Sequence, residues 1–362
     1  MAPFGAAAAA GDPPPPETME TAPADTGYER FSIGFDHRDR ARLHALWDGI
    51  LDSERWSEGE VLASFEAAWE RETGIAATGL SGWAAGASCA LEFAGVRGEK
   101  VLCPSNTFMA TPLSILRAGG EPVFVDCNRE DLCASFEDFE RKAEQHRPRA
   151  AMLVHIGGHV AFDVERIAAY CREQGIYLIE DCAHAHGAAW NGTSPGGWGD
   201  AGVYSLYATK TISAGEGGVL VTRDPELHDY ARAHRNYGKP DHRVQGTNGR
   251  MSEFTAALGL VGIERLPEIV EWKNAVARER LDPVHPNRVE LPEGMVSGLY
   301  KYVVFDPIER STGKVYEEPC HRILGHPGEL PNTDWVAENH WCVPLYYAPA
   351  AGRAALGAEA AR

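Results

Sequence analysis

Between residues 101 and 181 short apolar runs alternate with helical ones, and no other feature of this 362-residue chain limits its fold as strongly. VLCP (101–104), PVFVD (122–126), AAMLVHI (150–156) and IYLIED (176–181) have the length and aliphatic content of buried strands. TFMATPLSILRAGG (107–120), a segment near 135–146 and DVERIAAYCREQG (163–175) lie between them with helical spacing. Strands joined through helices pair in parallel, and helices then cover both faces of the sheet. The expected fold class is α/β, with a mostly parallel central sheet flanked by helices. Ligands of such sheets bind beyond the carboxyl ends of the strands. Residues 105–108, Asp181 and Lys210 all fall at or just past such ends.

Two amphipathic segments, HRDRARLHALWDGIL (37–51) and SEGEVLASFEAAWERETG (57–74), precede this unit, and a long helical segment (253–282) closes it. Beyond it, Pro and Gly punctuate short strand-like runs. These shifts divide the chain into a disordered tail (1–27), a large domain (28–282) and a small C-terminal α+β domain (283–362). In the tail, the Ala run lacks a basic region ahead of it and PPPP (13–16) stops a helix, which argues against a signal segment. Nowhere do 18 apolar residues run uninterrupted, so no membrane span and a cytoplasmic location are expected.

A formal charge of −18, from 52 acids against 34 Lys plus Arg, repels nucleic-acid phosphates and anionic membrane surfaces. It does not decide the potential inside a cleft. The eight cysteines form no C-x-x-C pair and no zinc-like spacing, so they read as reduced, buried and metal-free.

Lys210 stands alone between the apolar run at 201–206 and a loop holding Gly215, Gly217 and Gly218. A partly buried lysine loses some of its affinity for a proton and can form a Schiff base with a carbonyl. The plain alternative is a solvated loop lysine, the common fate of the residue type. Three neighbours favour chemistry: Asp181 at the end of IYLIED, Ser205 with Thr209 just ahead of the lysine, and GEGG just after it. Singly each has an ordinary reading, as a helix cap, a strand serine or a turn.

Taken in order, EDCAHAHGA (180–188), SLYATK with its GEGG (205–218) and GTNGRMSEFTAALGL (246–260) resemble the motifs of the DegT/DnrJ/EryC1/StrS family of pyridoxal-phosphate-dependent sugar aminotransferases. VLCPSNTFMAT (101–111), AGGEPVFVD (118–126) and VHIGGHVAFDVERI (154–167) resemble family segments in the same sequence order. The resemblance spans about 57–282 and implies the aspartate-aminotransferase-like fold type I. It also implies roles for individual residues. Lys210 corresponds to the lysine that carries pyridoxal 5'-phosphate and shuttles the substrate proton, and Asp181 to the carboxylate facing the pyridine nitrogen. Ser205 corresponds to a phosphate-binding hydroxyl and Phe108 to the aromatic stacked on the ring. His184 takes a Gln or His position near the ring hydroxyl. Asn248 corresponds to an asparagine reaching the neighbouring subunit's cofactor phosphate, which implies a homodimer with shared sites. Read without the family, Phe108 is a core aromatic, His184 a structural histidine and Asn248 a turn residue.

The chain departs from the family pattern in three places. The phosphate-facing helix start, usually Gly-Thr, is read as Ala87-Ser88; Tyr237 replaces a histidine; and 313–328 replaces familiar text in a shortened C-terminal third. The implied reaction moves an amino group from an amino acid, Glu or Gln, to a keto-sugar, nucleotide-linked or not, or a keto-cyclitol. The alternatives are a sugar dehydratase of the same group, against which the retained Lys210 argues, and a cofactor-free scaffold.

Overall fold

Seven strands form one sheet in the order β1-β8-β7-β5-β4-β2-β3 in a computed structural model that describes residues 34–326 and 328–347. The strands are β1 (Ala76–Leu80), β2 (Lys100–Pro104), β3 (Glu121–Val125), β4 (Ala150–Val154), β5 (Tyr177–Asp181), β7 (Ala201–Ser205) and β8 (Gly218–Thr222). A two-residue strand, β6 (Ala189–Trp190), leaves the sheet to pair with β9 (Met295–Val296). The expected tail, residues 1–27, lies outside the described residues.

The sheet is mostly parallel, as the alternation requires. β8 alone is reversed, antiparallel to both β7 and β1. Its first residue, Gly218, therefore sits at the edge where the other six strands end, paired with Ser205 on one side and Leu80 on the other. Alternate strand residues feed two cores. Leu102, Ala151 and Leu153 face one layer, while Val101, Cys103 and Met152 face the other.

The helices α3 (Trp83–Ala94), α4 (Ala110–Arg117), α5 (Phe136–His146), α6 (Val164–Gln174) and α7 (Pro225–His234) cover the sheet. α1 (His37–Ser53) and α2 (Glu60–Thr73) pack against α8 (Glu253–Val276), which ends in a π-turn at Ala277–Leu281. α2 and α8 approach closely at Gly259, where a Cβ would lie 2.7 Å from the Phe65 ring.

The C-terminal segment returns to the sheet edge. β10 (Tyr302–Val304) pairs with β11 (Trp341–Val343), and between them lie α9 (Cys320–Ile323) and α10 (Pro331–Glu338). The Cys320 amide donates to the Ser105 carbonyl at 3.0 Å, and the Thr333 amide and hydroxyl both donate to Asp126 at 2.7 Å. Residues just past β2 and β3 are thereby roofed by a segment some 200 positions later. All eight cysteines are buried and unpaired. Among the described residues no helix is long and apolar enough to cross a membrane.

One buried acid ties the outer helices together. Gly59, the N-cap of α2, has no side chain to satisfy the first amides. Glu253, the first residue of α8, does so from a distance, accepting from Gly59 N–H and Val61 N–H at 2.8 Å each. Its carboxylate is buried, and the α2 amides and the helix dipole offset its desolvation. Glu253→Ala is expected to lower folding stability by about 3 kcal/mol, since it removes the acceptor of three amides, those of Gly59, Val61 and Leu62. Urea unfolding checks this; an unchanged midpoint would remove Glu253 from its capping role.

Candidate active site

β5 ends in two successive carboxylates, and strand alternation sends Glu180 and Asp181 to opposite faces. Asp181 is 5% exposed and accepts three kinds of donor. Trp83 Nε1–H donates to Oδ1 at 3.0 Å, Ala183 N–H to Oδ1 at 3.1 Å, and the Thr111 hydroxyl to Oδ2 at 3.2 Å. Burial raises the affinity of Asp181 for a proton, and the Ala183 amide, the Lys210 charge and the Thr111 and Trp83 bonds oppose that rise. One lone-pair site on Oδ2 has no donor assigned to it, so the carboxylate can take one more.

Lys210 follows β7 in a tight turn, its amide donating to the Tyr207 carbonyl at 2.9 Å. Its Nζ lies 4.8 Å from the centroid of the Tyr300 ring. Burial pulls its pKa down to about 8, Lys301 adds to the fall, and Asp181 resists it. At pH 7 roughly a tenth of the amine is therefore uncharged, far more than for an exposed lysine. Tyr300 is the shared wall of the site. Its hydroxyl meets the Thr209 hydroxyl at 3.2 Å, and the His184 ring stacks on it at 4.2 Å between centroids. His184 also stacks on Tyr316, at 5.7 Å. Burial, followed by the Lys210 and Lys301 charges, pushes His184 well below its ordinary pKa, so it is a neutral imidazole. Its Nδ1 is buried without a hydrogen-bond partner.

Ser205 is nearly buried, its hydroxyl accepting from Tyr207 N–H at 3.3 Å. The GEGG loop explains what lies beside it. A Cβ at Gly218 would stand 2.5 Å from the Gly82 carbonyl carbon and 2.6 Å from Trp83 N, so only glycine lets β8 begin against the start of α3. Gly82 caps that helix with no side-chain hydrogen bond, leaving its first amides for another acceptor.

Of the residues singled out from the sequence, Lys210, Asp181 and His184 converge on one site, and Ser205 adjoins it across the β7–β8 pair. The helix start lies five residues ahead of the expected position. Gly82–Trp83 opens α3, whereas Ala87 is fully buried in the second turn with Ser88 beside it. Both positions lie in one run of small residues, GWAAGAS, broken only by Trp83, and the small pair Ala87-Ser88 is nearer to Gly-Thr than Gly82-Trp83 is. Phe108 is 67% exposed, which rules out a core role. Asn248 is exposed in a bridge with Asn236; the next residue, Gly249, accepts from Ser81 N–H at 2.8 Å, close to the α3 start. His155 and His159 are structural. His155 bonds Glu180 at 2.8 Å and His159 meets the Asp131 carbonyl at 3.0 Å.

Sequence reasoning missed Trp83, Thr111, Tyr300, Lys301 and Tyr316. Trp83 reads as one more apolar helix residue. Tyr300, Lys301 and Tyr316 lie about 100 positions from Lys210, in a region without periodicity.

A mostly parallel α/β sheet with a buried acid and a low-pKa lysine at its carboxyl edge is the framework of a group-transfer enzyme. The chain belongs to the DegT/DnrJ/EryC1/StrS aminotransferase family, whose profile matches residues 38–283. It is 32% identical over 341 residues to the dTDP-3-amino-3,4,6-trideoxy-alpha-D-glucose transaminase of Micromonospora megalomicea subsp. nigra, covering 85% of this chain and 91% of that one. With the GDP-perosamine synthase of Vibrio cholerae it shares 36% identity over 186 residues, so it spans half the length of that relative. The solved structure of S. venezuelae DesV in complex with a ketimine intermediate superposes with a TM-score of 0.80 at 27% identity, covering 90% of this chain and 96% of that one.

The lysine environment has a direct chemical signature. The Lys210 amine is expected to react with an amine-selective reagent in proportion to its free-base fraction, with a midpoint near pH 8, while exposed lysines follow their ordinary value near 10.4. Reductive methylation across pH 6–10, read by peptide mass spectrometry, checks this. A Lys210 profile that overlays those of exposed lysines would contradict the burial described.

Proposed function

We propose that this chain is a pyridoxal-phosphate-dependent aminotransferase that moves an amino group from Glu or Gln to the keto group of a sugar, nucleotide-linked or not, or of a cyclitol. The observation that carries the proposal is Lys210, an amine with a pKa of about 8 beside the buried carboxylate of Asp181. The named relatives, transaminases of amino-deoxysugars among them, support the acceptor class.

The donor set suits the cofactor. The spare acceptor site on Asp181 matches a ring N–H, the unpartnered Nδ1 of neutral His184 matches a ring hydroxyl, and Ser205 with the uncapped α3 amides matches a phosphate. Trp83 is a departure, placing an indole N–H on Asp181 where the family has a small hydroxyl residue; it occupies Oδ1 and leaves Oδ2 available. When bound, pyridoxal phosphate supplies an aldehyde that captures amines and a ring that accepts the electron pair released at the substrate carbon.

The protein's share follows from its own groups. Lys210 would hold the cofactor through its amine and, once freed by the substrate amine, would take the proton from the substrate's amine-bearing carbon and pass it to the carbon that had been the cofactor's aldehyde. Asp181, whose donors oppose the rise in proton affinity that burial imposes, would face the ring nitrogen and favour its protonated form. His184, fixed by Tyr300 and Tyr316, donates or accepts one hydrogen bond without changing charge. Phe108, exposed after β2, would cover the cofactor ring, as the family resemblance implies. The active unit is a homodimer in which Asn248 reaches the partner's phosphate site. Exposed Trp56, Phe108, Tyr207 and Tyr237 are the kind of surface a second copy covers. Eight unpaired thiols suit the reducing cytoplasm.

Purified protein incubated with pyridoxal phosphate should gain a visible absorption band that borohydride abolishes. Lys210→Ala should lose both the borohydride-sensitive band and all measurable transamination while keeping its unfolding midpoint. Near-normal turnover in that variant would refute the assignment.

Site sharing is tested by mixing chains. Asn248→Ala should weaken cofactor retention by about 1.5–3 kcal/mol, one hydrogen bond to a charged group. A mixed dimer of Lys210→Ala with a strongly inactivating Asn248 variant should regain activity, because one of its two sites carries neither lesion. No recovery in verified mixed dimers would exclude a trans-acting Asn248.

A further inference from the structure

A second cavity, of about 190 Å³, opens beneath the sheet edge and shares no residue with the Lys210 site. Strand alternation separates the two: Ser205 adjoins the site, while its neighbour Tyr204 turns to the opposite layer and lines the cavity. Its polar lining comes from Trp69 and Glu72 of α2, His186 after β5 and Ser194 after β6, and its apolar lining from Ile263 and Leu266 of α8. The polar part holds buried groups that nothing among the described residues satisfies. Trp69 is 1% exposed with its Nε1–H unpartnered, and His186 is 1% exposed with both ring nitrogens unpartnered. The Ser205 carbonyl lies near enough to favour a proton on the His186 ring, but outside hydrogen-bonding geometry. Trp69, His186 and Tyr204 pack ring against ring, at 5.0, 5.5 and 5.9 Å between centroids, which fixes where these groups point. Burial, then the Lys210 charge, pushes the His186 pKa down to about 3, so the imidazole is neutral and offers one donor and one acceptor. Buried polar groups of this kind require a partner.

The lining also fixes the partner's chemistry. Among the described residues no lysine or arginine lines the cavity, and Glu72 stands at its exposed mouth, so phosphates and carboxylates are disfavoured. An indole N–H beside an imidazole that both donates and accepts matches a hydroxyl, which does both. The volume is that of roughly six water molecules at ~30 Å³ each, the room of one sugar-sized ring. Water molecules against Ile263 and Leu266 would be short of partners, whereas a ring polyol turns its C–H face to them and its hydroxyls to Trp69 and His186. We propose that this cavity is a second binding site, for a small neutral polyol of monosaccharide or cyclitol size, with Trp69 and His186 as the buried hydrogen-bonding pair and Glu72 and Ser194 at the rim. The site stands apart from the aminotransferase reading, because none of its groups belongs to that chemistry.

Saturation-transfer NMR on the purified full-length protein tests this, with myo-inositol and D-glucose as separate probes. At least one should receive saturation, and which of them does so distinguishes a cyclitol from a monosaccharide. Its affinity should fall at least fivefold in Trp69→Phe, which keeps an aromatic ring but removes the N–H, and in His186→Leu. Ser194 is only partly buried, so Ser194→Leu serves if a core variant unfolds; it narrows the cavity and should abolish binding by itself. Lys210→Ala should bind the polyol as the wild-type protein does, and inorganic phosphate should not compete. No saturation of either probe would leave water as the occupant and overturn the proposal. Unchanged affinity in folded Trp69→Phe and Ser194→Leu would overturn it too, as would displacement by phosphate. Loss of binding in Lys210→Ala would place the polyol in the Lys210 site and remove this one. Failure of the cofactor band in wild-type protein would strike the proposed function and leave this site untouched.

Discussion

The carboxylate of Glu180 organises the edge on which the site is built. It is fully buried and accepts from Gly196, Trp198 and Gly199 amides at 2.8, 2.8 and 2.6 Å, and from His155 Nε2 at 2.8 Å. Because His155 Nδ1 accepts from the Ala161 amide, the ring proton must lie on Nε2, and the imidazole is a fixed donor. Four donors offset the desolvation that an unpaired carboxylate would suffer. They also pin the loop that leads from β5 into β7, and β7 delivers Ser205 and the turn holding Lys210. The same strand end turns its next carboxylate, Asp181, into the site. Structural and chemical acids are thus neighbours in sequence, separated only by the pleat.

The C-terminal third completes what the sheet edge begins. Tyr300 and Tyr316 supply the flat surfaces that hold His184, and Cys320 and Thr333 fasten that third to residues after β2 and β3. Ser105 Oγ meets His321 Nδ1 at 2.7 Å, a further tie across the same gap. The site is therefore a product of contacts between distant parts of the chain, even though its charged members follow strand ends within the central 30 residues from Asp181 to Lys210.

Those strand ends were legible because their causes are local. An apolar run closed by Asp181, and a lone lysine before glycines, announce themselves without tertiary knowledge. The reversal of β8 did not, since strand direction leaves no mark on composition, and β1, with the sequence AATGL, lacks the branched residues that signal a strand. The misplaced helix start has the same root. Choosing Gly82 over Ala87 requires knowing that Gly218 presses against Gly82 and Trp83, a contact 136 residues long in sequence. Tyr300 and Lys301 sit among Pro and Gly with no period to place them. Their roles exist only once the chain has folded back.

The buried cysteines give the molecule a property unconnected with catalysis. With every thiol enclosed and its ionisation suppressed by burial, a thiol-specific dye finds no target in the closed protein. Cys103 lies in a central strand, Cys171 on a covering helix, Cys320 and Cys342 in the C-terminal roof. Labelling in time order would thus map which layer of the architecture breathes first, a chronometer of local opening written into the native chain.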